Sequence, residues 1–326
     1  MNGVIIIDKP AGWTSHDVVN RMRRILGQRS IGHLGTLDPL ATGVLPLVTG
    51  SLTRLAQFYT TSEKSYEGVI RFGFATNTYD ADGEPLGESR SISLSLETLQ
   101  ELAATFQGSI EQVPPPFSAK KIHGIPAYKL ARKQKEVVLK PVQVEIKEFI
   151  ILSVEGDRAR FRARVSSGTY MRSVAHEMGQ RLGSGAHLES LRRTAVAEFD
   201  ITQAHTLEEI EGLKEEGKGP HSRENMAVPI KPCHSEAASA AEEPAVSSPE
   251  GMAALFIHPR QLLPQLPSVT ADEATAARIR SGRPVNLLEL SRSRQVKVFV
   301  SQRELLAIAT RVAGTLFHPK IVFSAQ

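Results

Sequence analysis

Apolar and polar positions alternate with two different periods along this chain. A continuous apolar run at residues 3–7 predicts a buried strand. Ser15 reads as the N-cap of a helix over residues 17–26, closed by Gly27. Residues 30–50 are rich in Gly, Pro and Thr and fit neither period, so they predict a long loop, a feature often functional inside a compact domain. Further on, the pattern predicts a short helix at 52–59, a strand at 66–74 and a turn-rich loop at 76–83. Helices are expected at 96–106, 127–135 and 170–182, and strands at 142–152, 158–165 and 188–196. Pro114, Pro115 and Pro116 mark an extended connector, and Thr206 with Glu209 is a capping-box signature for another helix.

The character of the chain then changes. Residues 214–252 are rich in Ala, Ser, Glu, Pro and Gly, and residues 235–250 contain one β-branched side chain, Val246, and no aromatic. Such a segment buries too little apolar surface to offset its ordering entropy and reads as a disordered insertion. Order resumes near Leu255, with a helix expected at 271–281 and strands near 296–300, 305–309 and 316–323. Strand pairs mixed with helices, without regular βα alternation, indicate an α+β fold.

Charge sharpens this division. Residues 207–252 hold ten Glu against four Lys and Arg, a local −6, so the remainder carries +10 although the whole chain is only +4. A basic folded part makes a polyanionic partner plausible. Arg158, Arg160, Arg162 and Arg164 alternate with Ala159, Phe161, Ala163 and Val165, which makes one strand face basic. That face fits either a phosphate-tracking groove or an outer strand with acidic partners across the sheet. Further clusters are Arg21, Arg23, Arg24 and Arg29, and Lys120, Lys121, Lys129, Arg132, Lys133, Lys135 and Lys140 with Tyr128 nearby. The three together favour RNA phosphates. The single cysteine, Cys233, excludes an internal disulfide framework and fits a reducing cytoplasm. The N-terminal apolar run lacks a basic flank and reads as a strand rather than a signal peptide, and no apolar stretch reaches the ~20 residues of a membrane span.

No phosphate-binding loop, dinucleotide fingerprint, metalloprotease motif, paired cysteines or nucleophile elbow is present. An enzyme of this composition would work without cofactor or metal, through carboxylate, imidazole, phenol and guanidinium groups. The candidate carboxylate is Asp38, between Leu37 and Pro39 in the glycine-rich loop. Pro39 restricts it to extended backbone, and Gly35 and Gly43 allow tight turns or a ligand's close approach. An Asx-turn carboxylate before proline would give the same spacing.

The run from Gly32 to Pro46, GHLGTLDPLATGVLP, resembles the signature of the bacterial tRNA pseudouridine-55 synthase family, the TruB type. Other segments agree in order: Gly3-Val4 with Asp8-Lys9-Pro10-Ala11-Gly12, Lys64-Ser65-Tyr66, Thr78-Tyr79-Asp80-Ala81-Asp82-Gly83, residues 114–121 (PPPFSAKK), Gly168-Thr169-Tyr170-Met171-Arg172, and residues 185–193 (GAHLESLRR). The resemblance covers residues 1–213 almost continuously and returns more weakly from Leu262 to Lys320.

This resemblance implies isomerisation of uridine to pseudouridine in the TΨC arm of tRNA, the base being flipped into a pocket. It implies a catalytic domain over 1–213, with a mixed, largely antiparallel sheet flanked by helices and an RNA-binding insertion at about 115–140. An acidic linker over 214–254 and a PUA-like, β-rich RNA-binding domain over 255–326 follow. The implied partner is the tRNA stem-loop, with no cofactor, metal or membrane and with a monomeric, cytoplasmic protein. Asp38 matches the essential aspartate, either a nucleophile at ribose C1′ or base C6 or a base at C2′. Tyr66 matches the tyrosine that packs on the base, and Arg172 the arginine that would keep Asp38 ionised. His33, Tyr170 and Leu191 match contacts to the flipped nucleotide. Gln134 departs from the glycine usual after the basic helix, and the acidic segment is longer than usual. The competing readings are a synthase for another RNA, a non-catalytic tRNA-folding protein, and an Asp-dependent glycosidase, which lacks a second carboxylate near the motif.

Overall fold

The computed structural model describes residues 2–216 and 249–323, apart from 119, 123, 132 and 134–138. Ten strands form one large sheet: β1 (Gly3–Lys9), β2 (Ile31–His33), β3 (Thr42–Thr49), β4 (Lys64–Phe72), β5 (Gly108–Gln112), β8 (Val142–Glu155), β9 (Arg158–Val165), β10 (Ala186–Val196), β11 (Phe199–Asp200) and β12 (Phe256–Ile257). The short pair β6 (Lys121–Ile122) and β7 (Ile125–Pro126) stands outside it. The main path runs β12-β1-β3-β10-β4-β9-β8-β5, with β2 against β3 and β11 against β10. Only β3–β10 is parallel, through Thr42 and Gly43 opposite Arg192 and Arg193, so the sheet is mixed and largely antiparallel. Helices α1 (Ser15–Leu26), α3 (Leu96–Ala104), α5 (Met171–Arg181) and α6 (Leu207–Glu216) cover one face, their apolar sides meeting Ile5, Ile7, Phe72, Phe149 and Phe161 in the main core. The short helices α2 (Ala56–Tyr59), α4 (Ala127–Ala131) and α7 (Pro249–Ala254) join strands at the periphery.

A second sheet follows, with strands β13 (Ser268–Thr270), β14 (Val285–Asn286), β15 (Gln295–Phe299), β16 (Leu305–Ala313) and β17 (Leu316–Val322) in the order β13-β15-β16-β17-β14, and α8 (Glu273–Arg280) packed on it. It is not isolated. Phe299, Leu305, Ile308 and Phe323 share a core with Val4, Ile6, Val44, Leu52 and Tyr59, and the Leu263 N–H donates to Glu198 at 2.8 Å.

The expected loop over 30–50 is corrected: it contains two strands, β2 and β3. Gly43 and Pro46 disguised β3, and both are tolerated for local reasons. At Gly43 (φ +96°) a Cβ would lie 2.3 Å from the Arg193 carbonyl of the adjoining strand. Pro46 opposes Ile6 of β1, while its other side falls between the residues paired to β10 and those paired to β2. The first helix is also capped differently. Thr14, not Ser15, accepts from the Asp17 N–H at 3.1 Å, and Asp17 accepts from the Thr14 N–H at 2.9 Å. Of the acidic segment, residues 217–248 lie outside the described residues; its first residues continue α6 to Glu216, and its last form α7. Gln134, Arg132 and Lys135 also lie outside the described residues.

The arginine stripe on β9 is tied to acids. Arg158 binds Glu189 at 2.8 Å and Asp157 at 3.1 Å, and Arg162 binds Glu148 at 2.8 Å. Two of its four charges are thus neutralised by acidic neighbours, although β9 lies inside the sheet, between β4 and β8, and is not an outer strand. Arg21 of the N-terminal cluster likewise grips Glu211.

Candidate active site

Residues 34–41 connect β2 to β3, and their backbone is fixed from behind by groups remote in sequence. Ser15, released from capping, accepts from the Leu37 N–H at 2.8 Å and donates to the Leu37 carbonyl at 3.1 Å. Lys9, wholly buried, donates to the carbonyls of Pro10 (2.8 Å), Trp13 (2.5 Å) and Pro39 (3.2 Å). Arg193, also wholly buried, donates to Val44 (2.8 Å), Thr36 (3.2 Å) and Gly35 (3.0 Å) and hydrogen-bonds to the Tyr66 hydroxyl. Between them these two buried cations bind three carbonyls of the loop, those of Gly35, Thr36 and Pro39, on either side of Asp38 and tie it to the neighbouring backbone.

Asp38 points into a cavity of about 380 Å³, at the small end of ligand pockets. Its Oδ2 lies 2.9 Å from Nε of Arg172, and its side chain is 37% exposed. Arg172 is itself buried, at the start of α5, and is held by the carboxylate of Asp80 at 3.2 Å and by the carbonyls of Thr78 (3.2 Å) and Phe117 (3.1 Å). Asp80 in turn accepts from Thr78 Oγ1 at 2.5 Å and the Asp82 N–H at 3.2 Å. With its oxygens so engaged, Asp80 serves Arg172 rather than a substrate; the second carboxylate of a glycosidase is not supplied by it.

Burial pushes the Asp38 carboxyl above the ordinary carboxylate range; Asp80 adds to this, and Arg172 and Lys9 oppose it. The arginine thus pulls the carboxyl down, as expected of the pair, but burial outweighs that pull. Burial also raises the Tyr66 phenol, with Arg193 opposing, and lowers the His33 imidazolium, with Arg193 and His16 adding. His33 is thus neutral near pH 7. Its Nδ1 accepts from the Gly35 N–H at 3.3 Å, which leaves the proton on Nε2. Lys64, beside the pocket, is lowered to about 8 by burial and by Arg193.

All six residues singled out in the sequence line this one cavity: Asp38, Tyr66, Arg172, His33, Tyr170 and Leu191. Tyr66 projects from β4, Leu191 from β10, and Tyr170 occupies the N-cap position of α5 without capping through its side chain. Buried Gln112 fixes Tyr170, accepting from its N–H at 2.8 Å and donating to its carbonyl at 3.1 Å. Lys9, Ser15, Lys64, Asp80, Gln112 and Arg193 were not picked out. Lys9, Lys64, Asp80 and Arg193 do stand inside the quoted motifs, and that position was the available signal. Ser15 and Gln112 carry none. Among the described residues, no group of three or more His, Cys, Asp or Glu is placed to hold a metal, and no helix is long and apolar enough to cross a membrane.

A loop-borne carboxylate, its arginine partner and a buried tyrosine thus meet in one cavity of a mixed sheet flanked by helices. The TruB family pseudouridylate synthase N-terminal domain matches residues 23–171, and the tRNA pseudouridylate synthase B C-terminal domain matches residues 172–233. The tRNA pseudouridine synthase B of Solibacter usitatus is 47% identical over 99% of this chain and 100% of its own length. That of Stutzerimonas stutzeri is 43% identical over 71% of this chain and 75% of its own. The chain belongs to the TruB family of pseudouridylate synthases. In fold it is similar to a chain of a Cbf5-Nop10-Gar1 complex, with a TM-score of 0.67, 23% identity, and coverage of 99% of this chain and 85% of that one.

Proposed function

We propose that this enzyme converts the uridine at position 55, in the TΨC loop of tRNA, to pseudouridine, with Asp38 as the essential carboxylate. The observation that carries this reading is the convergence of Asp38, Tyr66, Arg172, His33, Tyr170 and Leu191 on one cavity, with Arg172 2.9 Å from Asp38. The uridine leaves its stack, at a cost of about a few kcal/mol, and its base enters beside Tyr66. The bond from C1′ to N1 breaks, the freed base rotates, and C1′ bonds to C5. The C5 proton departs and N1 gains a proton, so the reaction is an isomerisation with no redox change.

Asp38 serves as nucleophile at C1′ or C6, or as base at C2′; Arg172 orients it in each case. Tyr66 packs on the base and assists loss of the C5 proton. His33, Tyr170 and Leu191 hold the flipped nucleotide. The second sheet and the basic residues near Lys133 contact the rest of the tRNA, the protein acting as a monomer in the cytoplasm without metal or cofactor. The test is tritium release from an unmodified TΨC stem-loop labelled at C5 of the target uridine, comparing the parent with Asp38→Asn. Release and pseudouridine are expected from the parent alone; their absence from the parent would overturn the reading.

A further inference from the structure

Leu288 and Leu290 are 91% and 92% exposed, on the loop between β14 and β15. Single exposed leucines need no explanation, but these two stand on a backbone that is tied down. Leu287, beside them, is buried in the core of the second sheet. Arg311 reaches across from β16 and donates to the carbonyls of Ser293 (3.1 Å), Glu289 (3.2 Å) and Ser291 (2.8 Å), and its guanidinium lies 4.4 Å from the centre of the Phe317 ring. The loop is thus clamped with its leucines outward, at an evident cost in exposed apolar surface.

The surrounding charge says what would cover them. Arg283, Arg292 and Arg294 are exposed and form no ion pair among the described residues, whereas Arg280 is taken up by Glu273 at 2.6 Å. The loop's acid, Glu289, is turned back to accept from the Ser291 N–H at 2.6 Å. A rigid apolar tip among unpaired arginines fits a polyanion with apolar faces. In nucleic-acid complexes such wedges pack against bases while arginines take the phosphates. An anionic membrane would also attract the arginines, but two leucines are a small apolar face beside that of an interfacial helix. The unit that carries them also shares its core with the pocket-bearing sheet.

We propose that this loop is a second RNA contact: Leu288 and Leu290 pack on an open base or ribose face of the tRNA outside the stem-loop that enters the pocket, and Arg283, Arg292 and Arg294 bind the adjoining phosphates. The inference rests on the tRNA reading above. The test uses the full chain and two substrates, complete unmodified tRNA and the isolated stem-loop, with the variants L288S/L290S and R292A/R294A. L288S/L290S should raise KM for complete tRNA about tenfold, with kcat and the stem-loop kinetics unchanged. R292A/R294A should reduce the salt slope of binding to complete tRNA by about 2 and leave that of the stem-loop intact. Equal effects on both substrates, or none on either, would overturn the proposal. So would loss of binding to phosphatidylserine vesicles in L288S/L290S with tRNA binding unaltered, which would assign the loop to a membrane. Inactivity of the parent on both substrates would instead defeat the uridine-55 reading, and the binding measurements would still decide about the loop.

Discussion

Arg193→Lys tests the claim that a buried cation holds the loop that carries Asp38. Arg193 satisfies the buried carbonyl of Val44, the half-buried ones of Gly35 and Thr36, and the Tyr66 hydroxyl. Lysine keeps the charge but replaces a planar fork of five donors by three donors on one nitrogen. If it recovers one carbonyl, two remain unpaired at about 1–3 kcal/mol each, a loss of roughly 2–6 kcal/mol. For a chain of this size that is a fall in Tm of about 3–9 °C. The second consequence is geometric. Gly35 and Thr36 lead directly into Asp38, and a shift of about 1 Å in a reacting group costs on the order of 100-fold in rate. Single-turnover tritium release, measured well below the variant's Tm, should therefore show kcat reduced about 100-fold while RNA affinity stays within a few-fold. A variant that melts lower but retains kcat within about twofold would refute the positioning role and leave Arg193 as a stabilising residue only.

Other predictions follow from the same electrostatics. Asp38 has its pKa raised by burial, so the fold favours its neutral form; the associated stability is present at low pH and is lost as pH rises through the folded value. Asp38→Asn should thus be inactive yet melt above the parent at pH 8, with the difference shrinking on acidification; thermal melts with a pH-independent difference would contradict this. Lys64, lowered to about 8, loses its cation as pH rises through that value, so KM for RNA should climb above it and Lys64→Met should abolish the climb. Arg162 is already paired with Glu148, and β4 places Glu67 opposite Arg162 but Tyr66 opposite Ala163, on the other face. Filter binding across a salt series should find Arg162→Ala without effect, while Lys133→Ala, on an exposed cation, lowers the slope by about 0.9.

What could be read in advance depended on the range of the forces involved. The alternation over 158–165 is a local property of a pleated strand, and the strand Arg158–Val165 has those bounds. Helix α1 was also visible because it buries a single face, through Val18, Val19, Met22 and Ile25. The strand β3 was hidden because Gly43 and Pro46 oppose strand propensity locally, and only the close approach of Arg193 and the gap beside Pro46 make them acceptable. The capping error has the same origin: Ser15 and Thr14 are equally good caps by type, and Ser15 is withdrawn by Leu37, 22 residues away. Within the pocket, the groups facing the cavity stood in recognisable motifs. The groups behind it, Ser15 and Gln112 above all, bind backbone, and nothing in their sequence neighbourhood marks the backbone they bind.

The raised Asp38 pKa bears on how such a pocket can run its reaction. Arg172 and Lys64 line the cavity, and Arg193 and Lys9, the latter lowered to about 8 chiefly by burial, stand behind its loop, against the carboxylates of Asp38 and Asp80. This excess of positive charge offsets the desolvation of Asp38 only in part, which is why burial still dominates its titration. Yet charge must move when the bond from C1′ to N1 breaks: the departing base becomes more negative, and in a nucleophilic route the Asp38 carboxylate is neutralised as an ester. A pocket balanced for a stable carboxylate would resist that step. One that carries fixed cations on immobile backbone, and a carboxylate held at some cost, favours the state after bond cleavage without reorganising. On this argument the buried cations behind the loop contribute to the transition state as well as to the fold. Arg193→Lys, which preserves charge while loosening the loop, therefore separates the two contributions: the rate lost by the lysine variant measures position, and any further loss in Arg193→Met measures charge.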